Sequence, residues 1–151
     1  DLEIEVSEVK NQCCQFVEKQ FGYKAHHHAA DPAKVNFPDY DFILALSVFS
    51  HLSKDLGERW LAKLGQSLKS SGAILFTYNE IPNEDYFRYQ RLSEDTQFPF
   101  ISDSNQNTQE YGNAYLSQKY LQEQAKKNGL RVKFLGHQLV PSQHAVLMVK
   151  E

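Results

Sequence analysis

YDFILALSVFSHLSKDLGERWLAKLGQSLKSSGAILFTYN, residues 40–79, reads as strand, helix, strand, and the rest of the chain follows from it. Residues 42–46 form a short apolar run of the kind found in a strand covered on both faces, and residues 73–78 (AILFTY) form another. Between them Ser53 is a candidate N-cap, and Asp55 places a negative charge in the first turn. Leu56, Trp60, Leu61, Leu64 and Leu68 recur at helical spacing along one face, and Gly72 is expected to close the segment just ahead of the second strand. A parallel βαβ unit with a right-handed crossover satisfies this order.

Working outward, residues 2–6 alternate as a strand, and Ser7 is placed to cap a helix through about Lys19, with Gly22 as its stop. Residues 23–29 (YKAHHHA) read as a further short strand, after which Asp31, Pro32 and Pro38 mark an irregular connection. Residues 80–114 show no clear period but hold Tyr86, Phe87, Tyr89, Phe98, Phe100 and Tyr111. That content predicts an ordered lid or substrate-facing insertion, with a short helix near residues 83–91. Further on, Leu116 and Leu121 flank an N-cap at Ser117, and Gly129 is positioned to end the helix. Residues 130–135 and 145–149 then read as two strands around a turn near Pro141. The order is that of a doubly wound α/β sheet.

A chain of 151 residues is expected to form one domain. Its 41% apolar and 23% charged residues are ordinary for a globular protein. Nothing approaches the run of about 20 apolar residues that a membrane helix requires. A net charge of −3 argues against a general nucleic-acid binder, and a cytoplasmic location is the default expectation. The basic group Lys119, Lys126, Lys127, Arg131 and Lys133 reads as a solvated face. Cys13 and Cys14, adjacent on a helix, read as reduced thiols filling part of a core face. Of His26, His27 and His28, only the first and third share a strand face, and no acidic or thiol partner lies at metal-ligand spacing. His137 and His144 read as strand-end residues, and the chain holds no nucleophile elbow, P-loop or CxxC pair.

DFILALSVFSHL followed by WLAKLGQSLKSSGAILFTYN resembles the fourth strand, fourth helix and fifth strand of class I S-adenosylmethionine-dependent methyltransferases, with Ser71 in place of the first of two usual glycines. The resemblance extends to LEIEVSEV as the second strand and to YLSQKYLQEQAKKNGLRVKFLG with QHAVLMVK as the closing antiparallel hairpin. It implies a Rossmann-like, mostly parallel sheet that binds S-adenosylmethionine. By position, Glu5 would hold the ribose hydroxyls, Asp31 the adenine amino group, and Ala30 and Pro32 the walls of the adenine site. Ala45, Leu46 and Ser47 would line the methionine end, while Tyr78, Asn79 and Glu80 would contact the acceptor. His51 is the first candidate base, with a turn-fixing histidine as its alternative; Glu80 is the second candidate.

The family's first strand and its GxGxG turn have no counterpart, since no two of the seven glycines are separated by a single residue. The chain is therefore expected to be an N-terminally truncated piece of a longer enzyme, binding S-adenosylmethionine weakly or not at all by itself and inactive without the missing segment. Its sheet would carry inner edges with unpaired backbone groups. The implied reaction is methyl transfer to a small-molecule or other non-nucleic acceptor, without a metal. Two alternatives stand beside it: a non-catalytic methyltransferase-like module that pairs with another chain, and another nucleotide-binding α/β enzyme.

Overall fold

The computed structural model describes residues 2–81, 95, 97–102, 110–140 and 142–151. It divides into two compact units, residues 1–37 and 38–151. The helix expected near residues 83–91 and the turn expected at Pro141 lie outside the described residues.

The first unit holds β1 (Glu5–Glu8), α1 (Asn11–Phe21), β2 (Lys24–His27) and a 3-10 turn at Pro32–Lys34. β1 and β2 are parallel, with Glu5 opposite Lys24 and Ser7 opposite His26. Ser7 is a strand residue here and does not cap the helix. Glu8 takes over the start instead, its Oε1 accepting the N–H groups of Val9 at 2.7 Å and Lys10 at 3.0 Å, and α1 begins after Lys10. Gly22 does end α1: at φ 70° it occupies the left-handed region, and its N–H reaches the Glu18 carbonyl at 3.1 Å.

The second unit holds β3 (Tyr40–Ala45), α2 (Lys54–Gln66), β4 (Leu68–Glu80), β5 (Phe100–Ser102), β6 (Gly112–Leu116), α3 (Gln118–Lys127), β7 (Leu130–Val140) and β8 (Gln143–Lys150). Its strands form one six-stranded sheet in the order β5-β6-β4-β8-β7, with β3 also paired to β4. β3 and β4 are parallel, with Ile43 opposite Ile74 and Ala45 opposite Phe76. β8 runs antiparallel to β4 and closes a hairpin with β7. β6 joins β4 only at its carboxyl end, Asn79 opposite Tyr115 and Glu80 opposite Leu116. The parallel βαβ unit and the antiparallel closing hairpin are both as the sequence reads.

Strand alternation gives the sheet two unlike faces. On one, Ile74, Phe76, Tyr78, Val146 and Met148 are fully buried, in a core that includes Leu56 and Leu61 of α2 and Leu121 and Ala125 of α3. On the other, Phe42 is 52% exposed, Leu44 54% and Leu46, just beyond β3, 46%. The run in β3 is therefore not covered on both faces within the described residues. Both long helices of the unit pack with the residues of the first face.

Local signals met different fates. Ser117 caps α3 as expected, its Oγ accepting from the Tyr120 N–H at 3.0 Å. Ser53 occupies the N-cap of α2 without a side-chain hydrogen bond. Gly72 lies inside β4 and does not precede it. A Cβ there would stand 2.9 Å from the Lys69 carbonyl oxygen and 3.0 Å from that of Tyr40, so the glycine serves a close approach of two backbones where the β3–β4 register shifts.

Candidate functional site

β3 and β4 run side by side to a common carboxyl rim, where α/β sheets bind ligands. Just past β3 the chain turns at Ser47, which adopts φ 56°, an unusual conformation for a residue with a Cβ. A polar network holds it there. The Ser47 N–H donates to Thr77 Oγ1 at 2.8 Å, and the Ser47 hydroxyl donates to Gln143 Oε1 at 3.0 Å. Thr77 donates to the same Gln143 oxygen at 2.6 Å, and Gln143 Nε2 donates to Ser50 Oγ at 3.1 Å. Thr77 and Ser50 are fully buried, so these bonds form away from competing water. Sequence reading missed Gln143, which lies 96 positions from Ser47 and bears no local signal beyond a polar residue opening an apolar strand.

Of the residues expected at the methionine end, Ala45 is buried beneath this turn and Leu46 is open to solvent. His51 is tied to β6: Nδ1 is 2.9 Å from the Gly112 carbonyl oxygen, and its own carbonyl accepts the Gly112 N–H at 2.9 Å. That geometry matches the turn-fixing alternative read from the sequence.

The end of β4 carries the three residues expected to face an acceptor. Tyr78 is fully buried, and its hydroxyl has no hydrogen-bond partner among the described residues. Burial, reinforced by the Glu80 charge, pushes its phenol well above the usual range. Asn79 Nδ2 donates to the Ala114 carbonyl at 3.1 Å, fixing β6 against β4. Glu80 Oε2 lies 2.7 Å from His144 Nδ1, and Glu80 Oε1 accepts from Gln118 Nε2 at 2.7 Å.

The remaining expected residues belong to the first unit. Glu5 accepts from the Lys24 ammonium, and its Oε2 is 3.3 Å from His26 Nε2. Asp31 caps the 3-10 turn by accepting the Ala33 N–H at 3.1 Å, ahead of a buried Pro32, with Ala30 half-buried beside it. Among the described residues no group of three or more His, Cys, Asp or Glu side chains is arranged to hold a metal.

No family model matches the sequence, and no curated protein matches it. Solved structures do. The chain is similar to a DhpI–SAM–HEP complex, with a TM-score of 0.69 at 10% identity over 97% of this chain and 67% of that one. It is similar to human N-acetylserotonin methyltransferase in complex with SAM, with a TM-score of 0.64 at 15% identity over 98% of this chain and 40% of that one. A third similar structure is an S-adenosylmethionine-dependent methyltransferase from Clostridium acetobutylicum, with a TM-score of 0.65 at 12% identity over 97% of this chain and 74% of that one. The fold is that of the class I S-adenosylmethionine-dependent methyltransferases, and the chain spans between 40% and 74% of these structures' length.

Proposed function

We propose that residues 1–151 are part of a single S-adenosylmethionine-dependent methyltransferase domain acting on a small-molecule or other non-nucleic acceptor. The observation that carries this reading is the shared rim of parallel β3 and β4, ending in a Ser47 turn held by a buried network, within a fold matched along 97% of the chain. The donor set suits such a cofactor. Glu5, near the start of β1, offers carboxylate oxygens that can accept from ribose hydroxyls, and Asp31 offers the same to an adenine amino group. Ala30 and Pro32 are small or rigid walls for a ring. Within the second unit, taken by itself, Ala45, Leu46 and Ser47 offer a rim suited to the methionine part.

When bound, S-adenosylmethionine supplies a methyl group activated by its sulfonium. The chain's task is then to position an acceptor in line behind that methyl, and fixed alignment supplies much of the rate. The Ser47 turn is held against β4 and β8 before any ligand arrives, so its orientation costs nothing at the moment of reaction. Asn79, locked to Ala114, and Glu80 present polar groups at the same rim for the acceptor.

The open apolar face of β3 supports a further part of the proposal, that a strand from outside residues 1–151 pairs with β3 and carries a glycine-rich turn. Among the described residues β3 pairs only with β4, and Phe42 and Leu44 stand about half exposed. The same observation fits the second reading, a non-catalytic module completed by a partner chain. Calorimetry with S-adenosylhomocysteine separates them. The complete natural polypeptide carrying this sequence is expected to bind, and residues 1–151 alone at least about tenfold more weakly. Equal binding by both would remove the proposed strand, and binding by neither would remove the cofactor.

A further inference from the structure

We propose that Asn79 orients the methyl acceptor, its side-chain oxygen Oδ1 accepting an N–H of the uncharged amine nitrogen that takes the methyl group. The inference rests on the transferase reading above and names the substrate class it left open.

Strand pleating separates the three candidates at the end of β4. Successive side chains of a strand point to opposite faces, so Tyr78 and Glu80 share the face of Phe76 and the core, while Asn79 shares the face of Thr77. In β8, Ala145 is opposite Thr77, and Gln143, two residues earlier, lies on that same face. Thr77 and Gln143 are the two side chains that bond Ser47. Asn79 therefore stands on the side of the sheet that holds the Ser47 turn, about 7 Å beyond Thr77 along the strand.

Its orientation is set before any ligand arrives. Asn79 Nδ2 donates to the Ala114 carbonyl oxygen at 3.1 Å, and the Ala114 N–H donates in turn to the Ser50 carbonyl at 2.9 Å. A carbonyl oxygen can only accept, so the amide nitrogen is the atom that faces Ala114, and Oδ1 is the one left for a ligand. The side chain is partly exposed, and Oδ1 makes no hydrogen bond among the described residues. A fixed oxygen within reach recognises an N–H or O–H donor. An amide oxygen is too weakly basic to take the proton it binds, so the nucleophile must keep its hydrogens through the transfer. A neutral amine does so, whereas a hydroxyl must give its proton up.

The step balances without a base. The amine's electron pair forms the bond to the methyl carbon, and the carbon–sulfur pair leaves on sulfur. The nitrogen becomes an ammonium that keeps its N–H on Asn79 and gives one proton to water after release. As the nitrogen turns positive its N–H becomes a stronger donor, so the bond to Oδ1 tightens toward the transition state and contributes to rate as well as to binding.

The test uses the complete natural polypeptide, methyl-labelled S-adenosylmethionine, and aniline, N,N-dimethylaniline and phenol as acceptors. Label is expected on aniline, with kcat/KM about 100-fold above that for N,N-dimethylaniline, which has no N–H to offer, and at least about tenfold above that for phenol. Asn79→Ala should bring the ratio between the two amines below about tenfold, with S-adenosylhomocysteine affinity changed less than about twofold. A residue that only ties β6 to β4 would lower transfer to both amines alike, and an unmoved ratio would overturn the proposal. The second readout needs neither turnover nor a variant. In the complex with S-adenosylhomocysteine, the nuclear magnetic resonance signal of Asn79 Cγ is expected to shift saturably with aniline and not with N,N-dimethylaniline. No shift with aniline, an equal shift with both amines, transfer to phenol at the rate of aniline, or transfer to none of the three with cofactor bound would each overturn the proposal. Failure to bind S-adenosylhomocysteine would instead sink the transferase reading, and this proposal with it.

Discussion

Gly112→Ala is expected to destabilise the second unit by about 3 kcal/mol in urea unfolding followed through the fluorescence of Trp60, the chain's one tryptophan. A Cβ at this position would stand 2.1 Å from the Ile101 carbonyl oxygen and 2.9 Å from Ser102 Cα, both backbone atoms of the neighbouring strand β5. β6 cannot retreat, because on its other side the Gly112 N–H is bound to the His51 carbonyl and the Gly112 carbonyl lies 2.9 Å from His51 Nδ1. The methyl group must therefore either part β5 from β6 or strip the turn after β3 of its anchor. Overpacking costs about 1–3 kcal/mol, and each surrendered hydrogen bond adds about 1 kcal/mol. A variant within about 0.5 kcal/mol of the parent would show that the two strands do not approach this closely.

Gln143→Leu is expected to cost about 2–4 kcal/mol, although the replacement is apolar and of similar size. It removes the oxygen shared by Ser47 and Thr77 and the nitrogen that satisfies Ser50. Fully buried Thr77 then lacks an acceptor for its hydroxyl and fully buried Ser50 loses the donor to its own, while both keep their desolvation cost. Gln143→Glu, which keeps the acceptor oxygen shared by Ser47 and Thr77 and sets a second oxygen where the Ser50 hydroxyl can turn to donate, should lose less than half as much in the same assay. The loss should also reach function, because Ser47 at φ 56° depends on this network. S-adenosylhomocysteine affinity of Gln143→Leu is expected to fall about tenfold, the equivalent of about 1.4 kcal/mol. Equal stability of the Leu and Glu variants would contradict the network's role.

What could be read from the sequence was what has a local cause. Helical spacing from Leu56 to Leu64, the glycine stop at Gly22 and the serine cap at Ser117 act within a few residues, and all three are found, whereas Leu68, read on the same helix face, opens β4 because α2 ends at Gln66. Ser7 and Gly72 misled because each residue type has two uses. The serine lies in a strand whose next residue, Glu8, supplies the helix start, and the glycine accommodates the backbone of β3. β5 and β6 could not be seen, being strands of three and five residues in a stretch without alternation. Ser47, Tyr78, Asn79 and Glu80 are legible as candidates because they stand at or just past the ends of the two readable strands, which run parallel, and Ser47 bonds Thr77 beside Tyr78. Gln143 and His144 were passed over as partners of that rim. Only the return of β8 alongside β4 brings them there, and linear spacing does not record such pairing.

The most direct test of the central claim is a nuclear magnetic resonance titration of the isotopically labelled complete polypeptide with S-adenosylhomocysteine. Saturable shifts are expected at the amides of residues 45–47, 77–80 and 143–144, the rim of β3 and β4 and the strand that locks it, with residues 130–134 of β7 unmoved. Shifts concentrated on β7, or none at any ligand concentration, would contradict the claim that this rim receives the cofactor.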